Sequence, residues 1–251
     1  MIKKIVYSLN LFLRLIFIYL ENPLSLFGYL SGRTVLLKLR QGISFYTAQL
    51  LDAVIVSETV LDDSYGVGLL DRKIKGRIID VGAGIGDFSV LVSYQCPGAD
   101  ILAFEPNPSQ LKLLKENIRI NKRKNIRVLN LAVGNKKKYE LNIPASNVHA
   151  STLSTDKKGR KIQVIGTPLS KYIRGRVDFL KIDCEGAETG VLESIKPKQF
   201  GVIKKIVCEY HNHIVPGSDK KVSTILAKYG YTIGYIKNDI VPTTGYVVAS
   251  R

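Results

Sequence analysis

The segment Arg77-Ile78-Ile79-Asp80-Val81-Gly82-Ala83-Gly84-Ile85-Gly86 constrains this chain more than any other. Ile78–Val81 reads as a buried strand. Gly82, Gly84 and Gly86 permit a tight turn whose backbone a ligand can approach, and Phe88, Val90, Leu91 and Val92 open a helical pattern. A second apolar run, Ile101–Phe104, ends in Glu105, nineteen residues beyond Gly86. Strand, glycine turn, helix and a second strand tipped by an acid form the start of a nucleoside-binding α/β unit, with the acid suited to the hydroxyls of a ribose.

Charge decides which nucleoside. Dinucleotide sites place pyrophosphate on glycines spaced G-x-G-x-x-G. Here the third glycine comes one residue early, Asp87 takes the place of the last one, and Asp80 stands directly before the turn, where it repels phosphate. S-adenosylmethionine reverses that logic, because it carries a sulfonium and an ammonium. A partly exposed pair of unit charges at 4 Å is worth about 4 kcal/mol before desolvation. Asp80 and Glu105 therefore favour the sulfonium cofactor.

The rest of the chain continues the α/β alternation. Asn107 caps, and Pro108 starts, a helix running to about Asn121. Asn125–Val133 is the third strand, Val177–Asp183 the fourth with a helix over Ala187–Ile195, and Val202–Glu209 the fifth. Ser218–Tyr229 is a helix, and strands over Tyr231–Ile236 and Tyr246–Ala249 complete the pattern. The expected fold is α/β and Rossmann-like, a mostly parallel seven-stranded sheet with helices on both faces. Residues 134–166 form a polar, basic insertion with short strands at Tyr139–Ile143 and Ile162–Ile165, and an insertion of that length is usually functional. Residues 71–251 make the cofactor-binding domain. Residues 1–70 make an extension: an apolar helix, a hairpin of Val35–Leu39 and Ile43–Thr47 turning at Gly42, and a helix over Asp52–Leu61 capped by Asp52.

The first residues are unlike the rest. Lys3 and Lys4 precede the apolar run Ile5–Leu20, in which Leu9, Phe12, Leu13, Ile16, Phe17 and Leu20 share one helical face. Sixteen residues interrupted by Asn10 and Arg14 make a poor span, since crossing a bilayer takes about 20. Three readings stay open: an interfacial helix on an anionic membrane, a helix packed on its own domain or a second subunit, and a single-pass anchor. The chain carries 37 basic and 21 acidic residues, net +16, with clusters at Lys122-Arg123-Lys124, Lys136-Lys137-Lys138 and Lys157–Lys161. Such a charge draws nucleic acid, anionic membrane or an acidic substrate, or simply keeps the surface solvated. Cys96, Cys184 and Cys208 are scattered without metal spacing, which fits free thiols in a reducing compartment. The expected location is cytoplasmic, with peripheral contact at the inner face of the membrane as an extension of that reading.

A second constellation closes the fourth strand: Lys181-Ile182-Asp183-Cys184-Glu185-Gly186-Ala187-Glu188. Ligands of open α/β sheets sit beyond the carboxyl ends of the strands, at the topological switch, where the first and fourth strands are neighbours. The fifth strand ends in Glu209-Tyr210-His211, so Asp183, Glu185, Glu209 and His211 are expected to converge on one cleft. Crowded acids raise one another's proton affinity, and His211 is the natural proton acceptor near neutral pH. His211 is the first candidate base and Asp183 the second. Glu188 is expected to start its helix, with His213 and His149 in loops. No metal is expected, although Asp183, Glu209 and His211 are suitable ligand types for a divalent cation.

These residues also carry a family resemblance. The glycine segment, Phe104-Glu105-Pro106, and above all Val177-Asp178-Phe179-Leu180-Lys181-Ile182-Asp183-Cys184-Glu185-Gly186-Ala187-Glu188 resemble the FkbM-type methyltransferases. Leu39-Arg40-Gln41-Gly42, Glu58 with Tyr65, and Ser151-Thr152-Leu153 are similar to further elements of that family, across roughly residues 36–211. Gly84 stands where the family often has Asn. The resemblance implies a class I methyltransferase fold and an S-adenosylmethionine-dependent O-methyltransferase acting by in-line transfer on a hydroxyl of a sugar, glycolipid or secondary metabolite. By the resemblance, Asp80, Gly82, Ala83, Gly84, Gly86, Glu105, Pro106, Asn107 and Asp183 surround the cofactor, while Glu185, Glu209 and His211 line the acceptor side. A nucleic-acid methyltransferase is the enzymatic rival, favoured by the net charge. The Asp-Cys-Glu-Gly strand tip opposes it, since amino-directed base methylases use Asn/Asp-Pro-Pro-aromatic there. A non-catalytic cofactor-binding or membrane-docking module, a dehydrogenase (against which Asp80 speaks), and assembly into a homo-oligomer also remain open.

Overall fold

The computed structural model describes residues 20–144, 159–238 and 241–251, with Leu13 and Ile16 before them. The expected apolar helix over Ile5–Leu20, His149 and the Ser151-Thr152-Leu153 element lie wholly or mostly outside the described residues. Among the described residues no helix is long and apolar enough to cross a membrane.

Leu20 is buried and bridges to Leu39, and a 3₁₀ helix follows at Pro23–Ser31. The predicted hairpin forms from β1 (Val35–Lys38) and β2 (Ser44–Thr47), paired antiparallel, with Gly42 at φ +82° in its turn. Helix α1 spans Leu50–Val60, starting two residues before the expected Asp52 cap. Asp52 sits instead in the first turn, and its carboxylate reaches back to accept from the backbone N–H of Ala48 (2.7 Å) and Gln49 (3.2 Å). That still satisfies orphan donors at the helix start, from inside the helix rather than from its edge.

The central unit runs β3 (Arg77–Val81), α2 (Asp87–Gln95), β4 (Asp100–Phe104), α3 (Pro108–Ile120) and β5 (Ile126–Leu129). Asn107 caps α3 as predicted, its side chain accepting from the Ser109 N–H, with Pro108 in the first turn. The expected third strand, Asn125–Val133, is two strands. β5 stays in the main sheet, whereas β6 (Ala132–Val133) leaves it to pair with β8 (Arg160–Thr167), which also pairs antiparallel with β7 (Lys138–Ile143). The break falls where Asn130 donates its side-chain amide to the carbonyls of Glu105 and Pro106, tying the chain to the end of β4. The insertion is therefore a small separate sheet. Then come β9 (Val177–Ile182), α4 (Glu188–Glu193), α5 (Pro197–Phe200), β10 (Ile203–His211), α6 (Ser218–Lys228), β11 (Thr232–Lys237) and β12 (Thr244–Ser250).

The main sheet has seven strands in the order β11-β12-β10-β9-β3-β4-β5, parallel except for β12, which runs antiparallel to both neighbours. This is the expected mostly parallel sheet, and the order of strand addition reverses between the parallel neighbours β3 and β9, which makes the topological switch point. Alternation along the strands feeds two cores. Ile79, Val81, Leu102, Phe104, Leu180 and Ile182 pack with Val191, Leu192, Phe200, Val222 and Leu226 of the later helices. Ile78, Ile101 and Phe179 face the other way, onto Phe88, Val90 and the extension residues Val35, Leu37, Phe45, Ala53 and Val56. One core thus runs unbroken from the extension into the domain, and Asn117 of α3 stitches the two by bonding the backbone of Tyr46 on both sides.

Candidate active site

The glycine turn is fixed by the strands on either side. The N–H groups of Gly82 and Ala83 both donate to the Phe104 carbonyl (3.0 and 2.9 Å), and that of Gly86 closes on Ala83 (2.8 Å). Gly82, Gly84 and Gly86 have φ of +80°, +53° and +90°. A Cβ on Gly82 would fall on the Asp183 carbonyl oxygen, and one on Gly86 would meet Leu114, whereas one on Gly84 would point into open space. The loop therefore packs tightly against the end of β9 and leaves its outer edge at Gly84 clear.

Glu105 sits at the tip of β4, as predicted, and is buried. Its carboxylate accepts from the N–H of Gly84 (2.8 Å) and Asn107 (2.7 Å). Burial pushes the carboxyl up to about 7, against those two backbone donors. Pro106 is half-buried beside it, and Asn107 is fully buried, serving as helix cap and as donor to Glu105.

Asp80 departs from the expectation that it faces a ligand. Its side chain has no exposed surface. It pairs in register with Lys181 across β3 and β9, lies 3.3 Å from that ammonium, and accepts from the Ser89 hydroxyl at 2.7 Å. Lys181 is the residue that sequence reasoning passed over. Its Nζ donates to the Gly82 carbonyl (2.6 Å), lies 3.4 Å from Asp183 and stands 5.1 Å above the Tyr65 ring. Burial alone would lower its proton affinity, but Asp80, Asp183 and Asp87 outweigh that and hold it raised. The clue was present: a lone cation inside the apolar run Phe179-Leu180-Lys181-Ile182 needs a buried anion.

Asp183, Glu185, Glu209 and His211 converge as expected. From His211 Nε2 the distances are 3.5 Å to Glu185, 3.9 Å to Asp183 and 3.9 Å to Glu209. One ligand atom each from Asp183, Glu209 and His211 lie within 4.8 Å of one another. Glu188 does more than start its helix. Its Oε1 bonds His211 Nδ1 (2.9 Å) and accepts from the N–H of Gly186 (2.8 Å), fixing both the imidazole and the turn that presents Glu185 at φ +50°. His213, in contrast, is exposed, its ring edge-on to that of His211. Tyr65, from the extension, places its hydroxyl 3.0 Å from Asp183 and 3.2 Å from Glu209. A phenol has one proton to donate. That proton is shared between the Asp183 and Glu209 oxygens; burial first, then Asp183, push Glu209 well above the usual carboxylate range, while His211 and Lys181 act against the shift.

The charge state of His211 corrects the expectation that it accepts a proton near neutral pH. Burial would lower its pKa, but the hydrogen bond to Glu188 and the carboxylates of Glu185 and Glu209 overcome this and carry it up to about 10. At pH 7 it is an imidazolium clamping the cluster, not a free base. Released near 6.5 in the unfolded chain but held to about 10 in the fold, this proton stabilises the fold fully below pH 6.5, and the contribution drains away as pH rises through 10. NMR titration is expected to show the His211 ring charged up to about pH 10, and Glu188→Gln to lower that midpoint by a unit or more. A midpoint near 6.5 in the parent protein would refute the clamp.

The arrangement can hold a cation-bearing ligand. Among the described residues, Asp80, Asp183, Glu185, Glu188 and Glu209 stand against Lys181 and His211 at the carboxyl ends of the central strands. The profile of the family described as "Methyltransferase FkbM domain" matches residues 80–233, more than half of the chain. Methyltransferase sdnD of Sordaria araneosa is 24% identical over 250 residues, covering 83% of this chain and 93% of that protein. The 31-O-demethyl-FK506 methyltransferase FkbM of Streptomyces tacrolimicus is 26% identical over 191 residues, covering 62% of this chain and 72% of that protein. The solved structure of methyltransferase FkbM from Methylobacillus flagellatus KT aligns with a TM-score of 0.53 at 18% identity, covering 76% of this chain and 47% of that one, so the chain spans about half its length.

Proposed function

The chain belongs to the FkbM methyltransferase family, and from that premise we propose that it is an O-methyltransferase that takes S-adenosylmethionine and acts on a hydroxyl of a sugar, glycolipid or secondary metabolite. One observation carries the reading: an excess of carboxylates stands at the sheet's switch point, one strand from a glycine turn whose outer edge is open. Such a site favours a nucleoside that bears positive charge and penalises one that bears phosphate. When bound, the cofactor supplies an electrophilic methyl group on a sulfonium. Glu105 would hold the ribose, exchanging its two backbone donors for hydroxyls, and Gly82–Gly86 would lie under the nucleoside.

This chain's own residues then have two tasks. Positioning is the larger, worth about 7–11 kcal/mol where two reactants are held in line. Removing the proton of the acceptor hydroxyl is the second. With His211 held as a cation, Asp183 takes this role: it is more exposed than Glu185 or Glu209 and stays anchored by Tyr65. Lys181 and His211 flank it and hold its carboxylate in place.

Titration calorimetry with S-adenosylmethionine, its demethylated product, NAD and a nucleoside diphosphate tests the cofactor. Binding of the first two and neglect of the others is expected, and the reverse would overturn the reading. With methyl transfer measured on a panel of hydroxyl-bearing glycans, glycolipids and polyketides, Asp183→Asn is expected to lower kcat by about 10²–10⁴-fold. A variant with parental kcat would remove Asp183 from the role of base.

A further inference from the structure

The 3₁₀ helix Pro23–Ser31 buries none of its side chains fully. A 3₁₀ helix repeats every three residues, so Leu24, Phe27 and Leu30 fall on one line. They are 77%, 67% and 86% exposed. Single exposed apolar residues are ordinary on a protein surface, but three large ones in a row along one short helix are not. The stripe is held in a fixed orientation by the other side of the segment. The Asn22 amide donates to the Leu36 carbonyl (2.7 Å) and its oxygen accepts from the Lys38 N–H (2.9 Å), while the hydroxyls of Tyr29 and Thr47 meet at 2.5 Å. Leu26 and Tyr29 pack against the core, leaving Leu24, Phe27 and Leu30 outward.

Charge identifies the occupant. Across residues 20–50 the cations Arg33, Lys38 and Arg40, all exposed, stand against one acid, Glu21. Residues 1–19 add Lys3, Lys4 and Arg14 and no acid, within a chain of net charge +16. Two copies of so basic a surface repel each other. Three side chains also offer at most a few hundred Å², short of the roughly 800 Å² per partner of a stable dimer. An anionic bilayer matches both features, taking apolar side chains into its headgroup boundary and cations at its phosphates. We propose that Leu24, Phe27 and Leu30, flanked by Arg33, Lys38 and Arg40, dock the protein on an anionic lipid surface. This docking stands independently of the methyl-transfer reading.

Cosedimentation of the full chain with vesicles of equal parts phosphatidylglycerol and phosphatidylcholine tests it, with pure phosphatidylcholine as reference. Binding to the anionic vesicles is expected, weakening with salt. The triple variant Leu24→Gln/Phe27→Gln/Leu30→Gln is expected to lose at least about tenfold in partitioning while keeping its melting temperature, because none of the three is buried. A parent chain that ignores the anionic vesicles overturns the proposal. So does a triple variant that partitions like the parent, which would hand the binding to residues 1–19 or to charge alone. Conversion of a dimer to a monomer by the same variant in sedimentation would name a second copy as the occupant and also overturn it.

Discussion

Replacing Gly82 by Ala is expected to cost about 2–6 kcal/mol of stability and about two orders of magnitude in cofactor affinity. Two independent penalties add. The residue sits at φ +80°, where an L side chain is strained by about 1–3 kcal/mol. Its Cβ would also land on the Asp183 carbonyl, which is backbone and cannot swing aside; overpacking of that kind costs about 1–3 kcal/mol more. Relief requires β9 to separate from β3, and the displaced segment contains Lys181 and Asp183. A misplacement near 1 Å at a reacting centre can cost about 10²-fold. Thermal unfolding should show a drop of roughly 4–24 °C for a domain of this size, and calorimetry with S-adenosylmethionine should show the loss of affinity. Gly84→Asn is the control. Nothing lies within 4 Å of a Cβ there, and Asn tolerates φ +53°, so a change of about 1 kcal/mol or less is expected. The FkbM-type pattern often carries Asn at this position, and an open left-handed site is what Gly and Asn can share. Equal effects of the two substitutions would show that the loop is not packed on β9.

That contrast also marks where sequence reasoning reaches its end. The glycine spacing announced a turn, and the acid-tipped strand announced Glu105, because both depend on local backbone requirements. Convergence of Asp183, Glu185, Glu209 and His211 followed from one topological rule, that ligands gather where the sheet order reverses. What the rule omits is which way each side chain turns. Asp80 faces its cross-strand partner Lys181 beneath the loop, a consequence of register between strands separated by about a hundred residues. Tyr65 meets Asp183 across 118 positions, and no local pattern encodes that contact. His211 was read from the ordinary pKa of a histidine, whereas its neighbours Glu185, Glu188 and Glu209 set its charge only once folded. The split of the expected third strand into β5 and β6 turned on Asn130, whose amide reaches two carbonyls at the end of β4.

Lys181→Met is expected to cost about 3–5 kcal/mol and to abolish methyl transfer. A methionine fills similar volume, so the loss is one of charge rather than packing. Removing the ammonium takes away the cation 3.3 Å from the fully buried Asp80 carboxylate, whose Oδ1 accepts no hydrogen bond and whose other oxygen has only Ser89, and breaking one partner from a buried pair carries a penalty of this size. The Gly82 carbonyl loses its 2.6 Å donor at the same time, so the glycine turn loosens just where it meets the end of β9. Asp183 loses a cation at 3.4 Å, which disturbs the carboxylate assigned to take the acceptor's proton. The double variant Asp80→Asn/Lys181→Met separates these effects. With the buried anion gone as well, chemical denaturation should recover at least half of the lost stability, because an unpaired charge no longer has to be desolvated. Activity should stay lost, since neither the turn nor Asp183 regains its support. Recovery of both together would mean that Lys181 serves the fold alone, and recovery of neither would mean that Asp80 is not the charge it neutralises.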